Sequence, residues 1–155
     1  MKMKVKKKNN VYMKKILCPV VAAIVFVMLI ASCRKDEVPA VQYLEVTSAN
    51  IAGNWTLSTW NGSPMTEGCF VNVSFNRKDK TFEMFQNLDS FTSRKLTGTF
   101  NIIKDEKLGS VIRGAYDYEN GFWSHDYIIR ELTSDSMVWI AVDDPSDVTV
   151  YVRVQ

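Results

Sequence analysis

Hydrophobic positions follow two different rules along this chain. From Ile16 to Ser32 there are 17 consecutive uncharged, almost wholly apolar residues, directly after Lys14-Lys15. After Asn50 the apolar residues instead alternate with polar ones, and turn residues recur at intervals of roughly ten, the rule for short β-strands joined by tight turns. Eight strands are predicted: Asn54 to Trp60, Cys69 to Phe75, Lys80 to Gln86, Lys95 to Ile103, Leu108 to Tyr118, Phe122 to Leu132, Met137 to Val142 and Val148 to Val154. Asn61-Gly62-Ser63-Pro64, Glu119-Asn120-Gly121 and Asp143-Asp144-Pro145-Ser146 fall between them, where turn chemistry belongs. Short connections favour an antiparallel meander, because parallel neighbours need long crossovers. Eight such strands close most simply into an all-β, up-and-down antiparallel barrel, which leaves no exposed edge. An open sandwich is the alternative.

The apolar run is short for a spanning helix, which needs about 20 residues. With its lysine-rich flank it has the grammar of a cleaved secretory signal. Its end, Leu29-Ile30-Ala31-Ser32-Cys33, resembles a bacterial lipobox, the site where signal peptidase cuts before a diacylglycerol-modified cysteine. That resemblance implies a signal peptide over 1–32, Cys33 as the lipidated first residue, and a tether over 33–49 leading to a barrel over 50–155. An uncleaved anchor helix is the competing reading. Two or three acyl chains hold a protein on a membrane, whereas one does so marginally at about 0.8 kcal/mol per buried CH₂. Lys35-Asp36-Glu37 resembles the charged export tag of some Gram-negative surface lipoproteins and equally fits a solvated tether. The expected location is therefore the cell envelope, lipid-anchored in the outer membrane. Met13-Lys14-Lys15 would also make a normal signal start.

Charge changes its meaning once the leader is set aside. The whole chain is +2, but seven of its 19 basic residues lie before Ile16, leaving 12 basic against 17 acidic residues beyond Ser32 and a charge of −5 there. A negative body argues against nucleic acid, whose binding is dominated by phosphate neutralisation. Of the three cysteines, Cys18 is in the leader and Cys33 is the expected lipid site, so Cys69 alone remains in the body. With no internal disulfide, a small exported domain relies on its core. Cys69 reads as a small hydrophobe within it.

Candidate chemistry is sparse. Ser124-His125-Asp126 puts the only histidine between a hydroxyl and a carboxylate, yet neighbours on a strand face opposite sides, so no local triad forms. One histidine and one body cysteine do not assemble the usual four-ligand zinc site. Asp143, Asp144 and Asp147 lack the spacing, glycine and distal glutamate of an EF-hand and read, like Arg77-Lys78-Asp79-Lys80, as a solvated turn. No catalytic residue, metal or cofactor is expected. Trp123, His125, Tyr127 and Ile129 would share one strand face, and Ile112, Gly114, Tyr116 and Tyr118 another. Facing inward, they would line a pocket with a few polar tips, which makes Tyr116, Trp123, His125 and Tyr127 the candidate ligand-binding residues. Plain core packing explains the same pattern.

Ile51-Ala52-Gly53-Asn54-Trp55-Thr56-Leu57 resembles the Gly-x-Trp entry strand of lipocalins and related calycins, after a short helical turn at 47–50. The rhythm Leu96-Thr97-Gly98-Thr99-Phe100, Gly114-Ala115-Tyr116, Trp123, Tyr127-Ile128-Ile129 and Tyr151-Val152-Arg153 is similar to small lipocalin-like domains of bacterial surface lipoproteins. The resemblance covers about 50–155. It implies barrel closure by Gly53, Trp55 and Arg153, with the guanidinium packed over the indole, and it implies a non-enzymatic protein holding a small apolar or amphipathic ligand. A filled barrel that contacts other outer-membrane proteins, as a structural or accessory lipoprotein, is the alternative.

Overall fold

Alternation of buried and exposed residues runs through most strands, as in Val71, Val73 and Phe75 or Met137, Trp139 and Ala141, because successive side chains of a strand point to opposite faces. A computed structural model describes residues 40–89, 91–118 and 121–155. The signal segment 1–32, the lipid site Cys33 and the tether to residue 39 lie outside the described residues. Within Val41–Gln155, a one-turn helix α1 (Ser48–Ile51) leads into β1 (Gly53–Trp60), β2 (Ser63–Pro64), β3 (Phe70–Asn76), β4 (Thr81–Asn87), β5 (Arg94–Asp105), β6 (Gly109–Tyr116), β7 (Tyr127–Arg130), β8 (Ser136–Ala141) and β9 (Val148–Val154).

All pairings are antiparallel and, apart from β1 with β3, join sequence neighbours; β1 also pairs with β9, which closes the barrel. One edge of β1 serves two partners in turn, β3 over Gly53–Thr56 and the two-residue β2 over Thr59–Trp60. The result is the expected eight-stranded up-and-down barrel plus a short hairpin arm. Asn61 and Gly62 turn that hairpin with φ of 50° and 77°, the doubly left-handed geometry for which Asn-Gly is favoured.

The folded body begins earlier than the Asn50 boundary read from sequence. Leu44 and Val46, inside the stretch read as tether, pack on the core, and the Leu44 N–H donates to the Leu132 carbonyl at 2.7 Å. Thr47 caps α1 by accepting from the Asn50 N–H. These residues seal one end of the barrel. There Trp55 and Ile51 are fully buried, and the Trp55 indole N–H donates to the Ile51 carbonyl at 2.7 Å.

Arg153 completes the seal. Its guanidinium carbon stands 4.1 Å from the Trp55 ring centroid, and its nitrogens donate to the carbonyls of Asn50, Ala52 and Ser134. The ring contact is worth roughly 0.5 to 2 kcal/mol; the carbonyls add the fork geometry that lysine lacks. A Cβ on Gly53 would stand 2.6 Å from Arg153 Nη1, at a φ of +116°, so glycine is required twice over. Arg153→Lys should cost about 1 to 3 kcal/mol, since a single ammonium leaves partly buried carbonyls unsatisfied. Urea denaturation checks this, and an unchanged midpoint would show that the guanidinium does not hold the seal.

Candidate functional site

At the opposite end run the loops between β1 and β3, β4 and β5, β6 and β7, and β8 and β9, and among the described residues no helix lies across it. Below them lies a cavity of about 190 Å³. Leu57, Val71, Met84, Trp123, Trp139 and Tyr151 form its deeper, mostly buried wall. Gln86, Tyr116, Tyr127 and Thr149 add polar groups, and Trp60, Leu88, Ser124 and Asp147 stand around the mouth.

Trp139 is the floor's hub. Its ring centroid lies 4.8 Å from Tyr151, 5.3 Å from Tyr127, 5.6 Å from Trp123 and 6.0 Å from Phe75, each contact worth about 0.5 to 1.5 kcal/mol beyond burial. Trp123 enters because β6 has a gap for it. A Cβ on Gly114 would meet the Trp123 ring at 2.2 Å. The Trp123 indole nitrogen is buried with no hydrogen-bond partner, a cost of about 1 to 3 kcal/mol that the surrounding ring packing offsets.

Trp60 reaches the mouth through a bulge. The β1–β9 register shifts between Leu57 and Thr59, so Trp60 pairs with Thr149; cross-strand partners face the same side, and Thr149 faces the cavity. Its indole N–H then donates to Asp147 Oδ1 at 2.6 Å. Strict alternation from Leu57 would have turned Trp60 outward, so no local signal marked it. Trp139 was likewise not singled out from sequence, Tyr151 entered only beside Arg153 in the lipocalin resemblance, and Asp147 was read as part of a solvated acidic turn, although Trp139 and Tyr151 fall on inward positions of their strands.

Of the four candidate ligand residues, Tyr116, Trp123 and Tyr127 line the cavity and His125 does not. The sixth strand, expected over Phe122 to Leu132, is regular only over Tyr127–Arg130. Before it the chain makes a single bridge, Ala115 with Phe122, then bends at Ser124 and His125, so alternation fails there. His125 Nδ1 lies 2.7 Å from Asp143 Oδ1 instead. Asp126 pairs with Arg113 at 2.6 Å, and Ser124 engages Tyr127. The Ser-His-Asp trio is thus dispersed to three different partners. Tyr118, expected on the inward face, is half exposed and stacks on Tyr116. Cys69 is half-buried just before β3. Among the described residues no cluster of His, Cys, Asp or Glu could hold a metal, and no helix is long and apolar enough to cross a membrane.

Electrostatics in the wall follow burial. The His125 hydrogen bond holds the Asp143 carboxyl below the usual range. Burial pushes the hydroxyls of Tyr116, Tyr127 and, furthest, Tyr151 above the ordinary tyrosine range. A raised folded value means that the unfolded chain loses its proton first. Stability from these groups is therefore complete below about pH 10 and falls above it, by up to about 1.4 kcal/mol per pH unit for the fully buried Tyr151 and by less for the partly solvated Tyr116 and Tyr127. Tyr151→Phe should flatten this alkaline decline in urea melts between pH 9 and 12 on the same scale; a slope equal to wild type would show that Tyr151 ionises freely.

A closed eight-stranded meander, sealed at one end by a Gly-x-Trp strand and an arginine and hollow at the other, defines the small-ligand barrel class of fold. Residues 51–139 match the family model of the lipocalin-like domain, which is more than half of the 155-residue chain, and the chain belongs to that family. Comparison with the curated proteins finds no match.

Proposed function

We propose that this protein is a lipid-anchored envelope lipoprotein whose barrel holds a small apolar or amphipathic molecule and performs no chemistry on it. The observation that carries the ligand reading is the cavity at the open barrel end, walled by aromatic rings with a few polar groups, the usual composition of a small-molecule site. Its volume sets a limit. A cavity near 150 Å³ accepts benzene, so about 190 Å³ suits one ring with a short chain and leaves no room to enclose a long acyl tail. Dispersal of Ser124, His125 and Asp126 among separate partners supports a binding rather than a catalytic role. Anchoring rests on Leu29-Ile30-Ala31-Ser32-Cys33 after a lysine-flanked apolar run, and placement in the outer membrane of a Gram-negative envelope on Lys35-Asp36-Glu37.

Native mass spectrometry of the full chain purified from membranes tests both parts. The expected result is a stoichiometric small adduct and a mature mass corresponding to cleavage before an acylated Cys33. A barrel that never carries an adduct, in a chain with Cys33 bare and residues 1–32 retained, would defeat the proposal. The second reading, a structural or accessory lipoprotein acting through protein contacts, draws on one feature. Phe91, Phe122, Tyr118 and Leu88 are exposed on loops around the open end, and an apolar rim of this kind suits a partner surface. An outer-membrane protein co-purifying with a ligand-free barrel would favour it.

A further inference from the structure

The cavity wall is rich in π-faces and poor in cations. Trp60, Tyr116, Trp123, Tyr127, Trp139 and Tyr151 all contribute to it, while the one charged side chain among its lining residues is Asp147. The Trp60 indole takes only Oδ1 of that carboxylate, and a carboxylate accepts at both oxygens. Among the described residues no lysine, arginine or histidine forms an ion pair with Asp147. Its own turn adds Asp143 and Asp144; His125 pairs with the first of these, and the Ser146 hydroxyl and N–H donate to the second. On the other side of the mouth, among the described residues, Arg94 stands cross-strand from Gln86. It is exposed and not a lining residue; it acts electrostatically on the carboxylate of Asp89 in the neighbouring loop and, within the wall, on the Tyr116 hydroxyl, on which the effect of burial is larger.

On the ligand reading proposed above, we infer that the cavity selects a small aromatic amine, protonated, with its ring among Trp123, Tyr127 and Trp139 and its ammonium at the mouth against Asp147. The physical grounds are threefold. A cation gains from aromatic faces and from an unpaired carboxylate. A carboxylate ligand of the same size would meet Asp147 as a like charge and find no donor cation in the wall. The volume admits one ring and a two- or three-atom chain, which places a terminal charge at the rim and avoids burying it.

Three probes of matched size separate charge from shape: phenethylamine, 2-phenylethanol and phenylacetate, each titrated against the full chain in detergent by calorimetry and tryptophan fluorescence at low salt. Phenethylamine should bind at least about tenfold more tightly than phenylacetate, the scale of one charge-assisted hydrogen bond, with the alcohol between them. Asp147→Asn should erase the advantage of the amine while leaving the alcohol within about twofold, since the amide is isosteric. The ranking in the wild-type protein stands as a test even if the variant fails to fold. Equal or tighter binding of phenylacetate overturns the inference and leaves the cavity reading intact, with Arg94 as the group to examine. Failure of all three probes to bind overturns the cavity reading itself, and the amine preference with it.

Discussion

Replacing Trp55 with alanine is expected to lower the stability of the barrel by about 3 to 5 kcal/mol, the range for truncating a fully buried aromatic ring. The side chain has no exposed surface. Its loss removes three things at once: the plug of the sealed end, the acceptor surface for Arg153, and the indole donor to Ile51. Leaving the guanidinium over a void adds to the transfer cost of the ring. Urea melts followed by circular dichroism should show the midpoint falling sharply at an unchanged slope, the mark of altered native stability. A loss below about 1 kcal/mol would place Trp55 outside the core.

Trp139→Ala is expected to cost a similar 3 to 5 kcal/mol, roughly, by the same cavity logic, but with a different functional result. Trp55 seals the end away from the cavity, whereas Trp139 is its floor, in contact with Trp123, Tyr127 and Tyr151. Truncation joins the vacated space to the existing hollow. The variant should therefore accept anthracene, a neutral three-ring probe bulkier than the single ring and short chain that the wild-type cavity suits, and anthracene should recover part of the lost stability through linkage. If the wild-type protein takes anthracene equally well, the floor is not where Trp139 sits.

Strand existence was legible because a half-buried strand must alternate, and that requirement is local. Val71, Val73 and Phe75, or Phe82, Met84 and Gln86, could be assigned to one face by counting in twos. The seal was legible for another reason, the resemblance of Gly53 and Trp55 to the Gly-x-Trp entry strand of lipocalins with an arginine in the last strand. The structure shows the physical content of that pattern, since Gly53, Trp55 and Arg153 meet in contact.

Counting in twos fails where the backbone leaves regular geometry, and both failures fall at the cavity. At Ser58 the extra residue of a bulge reverses the facing of everything after it, which brings Trp60 to the mouth and onto Asp147. At Ser124 and His125 a bend ends the regular strand, turning His125 to Asp143 and away from the site. Neither event has a distinctive residue signature, since a bulge is settled by the pairing of two strands some 90 residues apart and not by either strand alone.

By itself the amino-acid order determined the all-β class, the number of strands in the barrel and their antiparallel order, because alternation, turn chemistry and sequence-adjacent pairing are short-range rules; the sealing residues were reached only through the resemblance to the lipocalin entry strand. Tertiary structure alone decided how much of the interior remains hollow, that Trp60 and Trp139 join Tyr116, Trp123 and Tyr127 around that hollow while His125 does not, and that the Asp147 carboxylate lines its mouth. Those outcomes depend on how side chains from all eight strands share one enclosed volume, and a shared volume has no expression in the spacing of residues along any one of them.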